Sequence, residues 1–275
     1  SSNENPLGCP ISLDALQESL SNAALYPHQA SARLLDQISK EWGIEHSSIV
    51  LGNGSDDILQ MIGLAFLNPG DQVMVFEHGF SVYTSVAQVM QADLISLPLN
   101  DYRMDLPVMA QQITDKTRVV FLTNPYSPTG TAVSEDELST FLAAIPPSTL
   151  VVLDEAYWHY LPTQTDSPAL VRDFKNLIVT RTFSKLYGLA GFRIGYAVGN
   201  PDIIAPLQKV RMPFNVNALA LTVASLAYEA TEYVQDSLTT NTSGKEQIYT
   251  AFKDLNIDYV PTTGNFICFF TDTPA

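Results

Sequence analysis

The chain has 275 residues, of which 46% are hydrophobic and 16% are charged, and its 14 basic and 29 acidic residues give a net charge of −15. This acidic balance argues against nucleic acid and anionic membranes as partners, because both are bound by surfaces rich in Lys and Arg. No apolar run approaches the ~18 residues that cross a bilayer, and the first residues lack the basic and apolar regions of a signal peptide.

The cysteines and histidines do not have the number or the spacing of a structural framework. Cys9 and Cys268 are too few for a set of disulfides, and the four histidines are scattered along the chain rather than spaced like zinc ligands. The composition therefore predicts a cytoplasmic protein that holds no metal.

Short apolar runs alternate with amphipathic segments along most of the chain. The predicted strands are residues 72–76, 94–97, 118–123, 149–153, 177–180, 194–198 and 266–270. The predicted helices are residues 30–42, 56–67, 81–91, 135–144, 201–210, 217–229 and 245–255. This alternation predicts an α/β fold with a mostly parallel central sheet flanked by helices, in which ligands bind at the carboxyl ends of the strands.

The length predicts roughly two domains. We expect a large α/β domain over residues 26–211 and a smaller, incomplete α/β unit formed by residues 1–25 and 212–275. Two helix starts carry N-cap signals, because Ser55 and Ser134 are each followed by acidic residues that favour the first turn of a helix.

The first candidate site is the turn of Gly54, Ser55 and Asp56, which opens a predicted helix. Free N–H groups and the helix dipole make such a turn an anion cradle. The pair Asn53-Gly54 is also a common turn signal in proteins that bind no ligand there.

Three further features before residue 160 have both a chemical and a structural interpretation. Asp154 and Glu155 end a buried strand, where α/β ligands bind, although an acidic pair there also serves as a helix cap. The loop 124–130 contains two prolines and a glycine that fix its backbone. Phe80 and Tyr83, at a predicted helix start, are equally explained by packing.

The most informative segment surrounds Lys185, which follows a predicted buried strand. Thr182 and Ser184 precede the lysine and Arg193 follows it. A desolvated lysine is a nucleophile for carbonyl carbons, whereas hydroxyls and a guanidinium bind phosphate. For a lysine taken alone, the better interpretation is a surface residue in a Gly-rich loop.

Four of these motifs, taken in their order and spacing, resemble the fold-type-I aminotransferases that depend on pyridoxal 5′-phosphate (PLP). They are residues 54–56, 124–130, 154–157 and 184–193, and the resemblance covers almost the whole chain. Residues 3–8, 26–27 and 189–195 are similar to the histidinol-phosphate aminotransferases. Related amino-acid aminotransferases and threonine-phosphate decarboxylases share much of the same pattern.

The resemblance implies a role for each matching residue. Lys185 would hold PLP as a Schiff base and move the substrate Cα proton, Asp154 would pair with the pyridinium nitrogen, and Tyr157 would hydrogen-bond the ring 3′-oxygen. The other implied cofactor contacts are Ser55, Asp56, Phe80, Ser127, Thr182, Ser184 and Arg193, with Phe80 stacking on the ring. Tyr26 would reach the phosphate in a neighbouring subunit, which implies a homodimer with shared active sites.

The candidate substrate contacts are Asn5, Arg211 and Asn265. Arg211 resembles an arginine near the substrate phosphate, and it is equally explained as a C-terminal helix residue favoured by the dipole.

Two departures from the family pattern are visible. Ser127 stands where an asparagine usually contacts the ring 3′-oxygen, so that contact is lost, bridged by water or replaced. The neighbouring Tyr126 is the candidate to compensate for it. Family members also begin earlier and continue beyond the segment 264–267, with a further arginine for the substrate. The resemblance thus implies a chain that lacks both termini and has an incomplete substrate site.

The expected reaction is PLP-dependent transfer of an amino group from L-histidinol phosphate to 2-oxoglutarate, which yields imidazole acetol phosphate and L-glutamate in histidine biosynthesis. The alternatives are an aminotransferase for aromatic or other amino acids, a PLP-dependent decarboxylase and a non-catalytic binding module of the same fold.

Overall fold

A seven-stranded sheet lies at the centre of the part of the chain that the computed structural model describes, residues 2–21 and 24–271. Its strands are β1 (Ile49–Gly52), β2 (Gln72–Phe76), β3 (Asp93–Leu97), β4 (Thr117–Thr123), β5 (Leu150–Asp154), β6 (Leu177–Thr182) and β7 (Gly195–Gly199). Their order is β1-β7-β6-β5-β4-β2-β3. Only β7 runs against the others, so the predicted mostly parallel sheet is confirmed.

Helices cover both faces of this sheet. In the described residues they are α1 (Leu13–Ser21), α2 (His28–Trp42), α3 (Ser55–Phe66), α4 (Ser81–Val89), α5 (Leu106–Gln112), α6 (Glu135–Ala144), α7 (Ser167–Asp173), α8 (Pro201–Val210), α9 (Ala218–Tyr228) and α10 (Thr231–Leu255). Val119 and Phe121 of β4 pack with α3, α4 and α8, whereas Val120 and Leu122 pack with α2, α5, α6, α7 and α9. Burial on both faces explains why the central strands are continuously apolar.

Some elements were missed by the sequence pattern. β1 has four residues, too few to show a period, and α1, α5 and α7 are short. α5 and α7 each begin with an Asp N-cap, Asp105 and Asp166, followed by a proline in the first turn. These are helix-start signals that the apolar pattern alone does not report.

The prediction of a helix limited to residues 245–255 was wrong, because α10 begins at Thr231. The segment 239–244 is polar, and Val234 and Leu238 on the preceding turns pack against the buried Tyr160 and Leu186. That tertiary burial outweighs the low helix propensity of the segment.

The predicted strand 266–270 is also shorter than expected. It contains β9 (Cys268–Phe269), which pairs antiparallel with β8 (Tyr259–Val260) in a separate two-stranded sheet. The predicted division into residues 26–211 and residues 1–25 with 212–275 stays a prediction. Within the second range, α9 packs on α2 against the large sheet.

The two helix caps differ in outcome. Ser134 is confirmed as an N-cap, since its hydroxyl accepts from the Glu137 N–H while the Glu137 carboxylate accepts from the Ser134 N–H. Ser55 is not the cap of α3, because Gly54 occupies that place with φ +82° and Ser55 is the first helical residue. A side chain at Gly54 would collide with the Arg193 guanidinium, which explains the glycine.

Candidate active site

A cleft of about 180 Å³ opens where the carboxyl ends of β4, β5 and β6 meet the start of α3. It brings together the sequence-predicted residues Ser55, Asp56, Phe80, Ser127, Asp154, Tyr157, Thr182, Ser184, Lys185 and Arg193. Parallel strands deliver their last side chains to one edge of the sheet, so residues that are far apart in sequence become neighbours there.

Asp154 is the last residue of β5, and only 3% of its surface is exposed. Its Oδ2 accepts from the Tyr83 hydroxyl at 2.8 Å, and its Oδ1 accepts from the Ala156 N–H at 3.1 Å. Burial raises the pKa of this carboxyl to about 6, against the opposing effect of the Tyr83 hydrogen bond. Its two hydrogen-bond donors are neutral groups, so a cation placed against this buried carboxylate would stabilise its charged form further.

Lys185 follows β6 and is half-buried in the same cleft. Its ammonium donates to the Ser2 carbonyl oxygen at 2.6 Å and lies 5.6 Å from the centroid of the Tyr157 ring. Burial lowers the pKa of Lys185, although the carboxylates of Glu4 and Asp154 oppose the shift. A lowered pKa increases the fraction of neutral, nucleophilic amine.

Hydroxyls and one guanidinium form a cradle for an anion beside the start of α3. Thr182 Oγ1 lies 3.0 Å from Ser184 Oγ, and the Ser184 N–H donates to Thr182 Oγ1 at 3.1 Å. Arg193 reaches the cradle with one Nη 3.5 Å from Ser184 Oγ and the other 3.1 Å from Asp56 Oδ2. Gly195 keeps the cradle open, since a Cβ there would lie 2.7 Å from the Ser55 nitrogen.

Tyr157 stands on the opposite side of the cleft with its ring against Phe266, the centroids 4.8 Å apart. Its hydroxyl accepts from Asn3 Nδ2 at 3.0 Å. Burial raises the pKa of Tyr157, while hydrogen bonding by Asn3 and Ser127 opposes the rise. The tyrosine is thus protonated and able to donate.

Phe80 lies at the start of α4, is 39% exposed and lines the cleft. Tyr83 packs edge-on against it, with ring centroids 5.7 Å apart, and stacks on Phe121. The functional contact that sequence analysis missed is the one from Tyr83 to Asp154. The available signal was the spacing of three residues from Phe80, which places both rings on one helix face.

The remaining predicted residues lie outside the cleft. Tyr26 is 72% exposed and stacks on Phe214, with ring centroids 4.2 Å apart. Arg211 lines a separate cavity, where it donates to Gln208 and Asn215.

Asn5 and Asn265 fasten the N-terminal segment over the cleft. Asn5 Nδ2 donates to the Leu186 carbonyl at 2.7 Å, and Asn265 Nδ2 donates to the Asn3 carbonyl at 3.0 Å. The Asn265 Oδ1 atom is buried without a hydrogen-bond partner among the described residues.

A buried ion pair supports the cleft from behind. Glu155 and Arg181 neighbour Asp154 and Thr182 in sequence but point to the other face of the sheet, where their side chains meet at 2.9 Å. The Arg181 guanidinium lies between the rings of Trp42 and Trp158, at 4.5 and 3.7 Å from their centroids. The pair fixes the ends of the strands that carry Asp154 and Thr182.

Within residues 2–21 and 24–271, no helix is long and apolar enough to cross a membrane. Over the same residues, no group of three or more His, Cys, Asp or Glu side chains is arranged to hold a metal ion.

The helix-flanked parallel sheet, with a lysine, a buried aspartate and an anion cradle at its carboxyl edge, defines a PLP-dependent transferase of fold type I. The chain belongs to the aminotransferase class I and II family, whose model matches residues 1–274.

Named relatives extend this finding. A histidinol-phosphate aminotransferase from Moorella thermoacetica is 45% identical over 270 residues, which cover 97% of this chain and 70% of the relative. Another from Symbiobacterium thermophilum is 40% identical over 274 residues, which cover 99% of this chain and 76% of the relative. The crystal structure of histidinol-phosphate aminotransferase from Sinorhizobium meliloti in complex with pyridoxal-5′-phosphate matches with a TM-score of 0.92 at 26% identity, covering 97% of this chain and 73% of that one.

The donor set of the cleft fits PLP, the cofactor of this family. Asp154 offers a buried carboxylate for a protonated ring nitrogen, Lys185 offers an amine for an aldehyde, and the cradle around Ser184 and Arg193 offers donors for a phosphate. A cleft that combines these three groups matches the three polar parts of PLP.

Proposed function

We propose that this chain transfers the amino group of L-histidinol phosphate to 2-oxoglutarate, with PLP as cofactor. The observation that carries the proposal is the joint placement of Lys185, Asp154 and the Ser184–Arg193 cradle in one cleft. Relatives 40–45% identical over nearly the whole chain bear the name of this activity, which favours this amino donor over others of the same chemistry.

When bound, PLP supplies an aldehyde that accepts amino groups and a ring that withdraws electrons. Asp154 would keep the ring nitrogen protonated, because its buried carboxylate is stabilised by a positive charge. Tyr157 would donate a hydrogen bond to the ring oxygen, and Phe80 would pack against the ring. The phosphate would be held by Thr182, Ser184, Ser55 and Arg193.

Lys185 is the proposed acid and base of the reaction. Its Nζ, with a pKa lowered by burial, would take the proton from the substrate Cα and hold it for a later step. The N-terminal segment is fastened to this side of the cleft by Asn3 and Asn5, and its Ser2 carbonyl oxygen accepts from the Lys185 ammonium.

The test is the visible absorption spectrum of the PLP-loaded chain before and after addition of L-histidinol phosphate. Bleaching of the PLP band to the pyridoxamine form, and glutamate formation with 2-oxoglutarate, are the expected results. L-Phenylalanine serves as the comparison donor, and faster bleaching by phenylalanine would assign an aromatic substrate instead. Release of carbon dioxide would identify a decarboxylase, and a loaded chain inert to every donor would identify a binding module.

We further propose that two copies of the chain share their active sites. Tyr26 and Phe214 form an exposed stacked pair beside Met212, which is 72% exposed, and such an apolar surface is typical of an interface. The variants Lys185→Ala and Tyr26→Ala are each expected to lose activity and should regain part of it when they are refolded together, because one mixed site has both residues intact. Equal activity of mixed and separate samples would contradict the proposal.

Location in the cytoplasm stays a prediction.

A further inference from the structure

Tyr126 connects two loops that line the cleft, although it does not line the cleft itself. It lies in the loop between β4 and α6, and its side chain is 2% exposed. Its hydroxyl lies 3.0 Å from the carbonyl oxygen of Phe76 and 2.8 Å from that of Glu77. A single proton is thus shared between the last carbonyl of β2 and the first carbonyl of the turn that follows.

The backbone of the turn that accepts this hydrogen bond has an unusual conformation and little free space. His78 has φ +63°, a left-handed conformation that is uncommon for a residue with a side chain. At Gly79 a Cβ would lie 2.7 Å from the Tyr126 hydroxyl oxygen and 3.3 Å from the Phe76 carbonyl oxygen. The glycine therefore makes room for the tyrosine, and the backbone of the turn is fitted around its hydroxyl.

Both connected loops carry a residue of the cofactor site. The turn ends at Phe80, and the residue after Tyr126 is Ser127; both line the cleft. Phe80 in turn packs on Tyr83, whose hydroxyl holds Asp154. A shift of the turn would move the Phe80 ring relative to the floor of the cleft.

We propose that Tyr126 is a positioning residue whose hydroxyl fixes the turn at residues 77–79 and thereby sets the place of the Phe80 ring over the cofactor. Burial also raises the pKa of Tyr126, so the hydroxyl keeps its proton and remains a donor at physiological pH. The inference rests on the cofactor site of the proposed function.

The test replaces Tyr126 by phenylalanine, which keeps the ring against Phe76 and removes only the hydroxyl. The dissociation constant of PLP should rise about tenfold, as expected for the loss of one buried hydrogen bond that orders a binding group. The circular dichroism of the bound PLP band should also change, because that signal depends on the orientation of the ring beside Phe80.

Tyr196→Phe is the matched control, because it removes another buried tyrosine hydroxyl, which contacts Trp42 and neither of the two loops that Tyr126 connects. It should leave both PLP signals within twofold of wild type. Gly79→Ala disturbs the same contact from the side of the turn and should weaken PLP binding in the same direction. Thermal unfolding of each cofactor-free variant separates these effects from loss of the fold.

A double-mutant cycle identifies Phe80 as the route of the effect. In a Phe80→Leu background, Tyr126→Phe should change PLP binding by less than twofold, since the positioned ring is absent. If the double variant raises the PLP dissociation constant by the product of the two single-variant factors, the inference is overturned. A Tyr126→Phe protein with wild-type PLP affinity and wild-type circular dichroism would overturn it as well. Absence of saturable PLP binding by the wild-type chain would overturn the proposed function together with this inference.

Discussion

Replacing Asp154 by asparagine should make the cofactor-free protein more stable at neutral pH, while it removes the group that we propose retains the ring proton of PLP. The carboxyl is 3% exposed, and burial raises its pKa from 3.8 to about 6. A folded-state pKa above the unfolded one means that the folded chain binds the proton more tightly, so stability is lost as pH rises from about 4 to about 6. The full loss corresponds to about 3 kcal/mol, and roughly half of it falls between pH 5 and pH 8.

Urea unfolding of the cofactor-free wild-type and Asp154→Asn proteins at pH 5 and pH 8 measures this difference. The stability advantage of the variant should grow by about 1 to 2 kcal/mol between the two pH values, because asparagine has no charge to desolvate. An advantage that is the same at both pH values would refute the reasoning. PLP should reverse the order, stabilising the wild-type protein more than the variant at pH 8.

Three other predictions concern the groups around Asp154. Lys185→Ala should abolish the covalent PLP band and lower turnover by at least about 10²-fold; a covalent adduct that persists at another lysine would contradict the assignment. Arg193→Ala should raise the PLP dissociation constant by about 10- to 100-fold, because charged hydrogen bonds to the phosphate are lost. Absorbance titration measures this constant, and the exposed Arg33→Ala is a control that should leave it unchanged. Glu155→Gln should cost about 1.5 to 3 kcal/mol in urea unfolding, because the buried Arg181 loses its charged partner at 2.9 Å and keeps the Glu41 carboxylate at 3.4 Å; a cost below about 1 kcal/mol, the range of surface pairs, would show that the pair adds little.

Much of the fold could be predicted because its signals are local. The continuous apolar runs at β2, β4 and β5 mark strands buried on both faces, and the capping box at Ser134 marks the start of α6. Residues that directly follow such strands, among them Asp154 and Lys185, were therefore expected at the carboxyl edge, where the structure brings them to one cleft. Their chemical roles stay predictions.

Other features were not accessible from local pattern. The first half of α10 forms through burial of Val234 and Leu238, although its polar sequence suggests a break. The N-cap of α3 falls on Gly54 rather than Ser55, because the close approach of Arg193 admits only a glycine there. In both cases a contact with a distant segment outweighs the local preference.

The sequence by itself determined which chemical groups this protein has and the order in which strands and helices present them, since hydrophobic periodicity and capping are properties of neighbouring residues. The tertiary structure decided which of those groups meet. Tyr83 and Asp154 are 71 residues apart in the sequence, and Tyr126 is 49 or 50 residues from the carbonyl groups that it binds. Such contacts depend on the order of the strands in the sheet, which places β4 between β2 and β5 and so sets the loops of all three around one cleft.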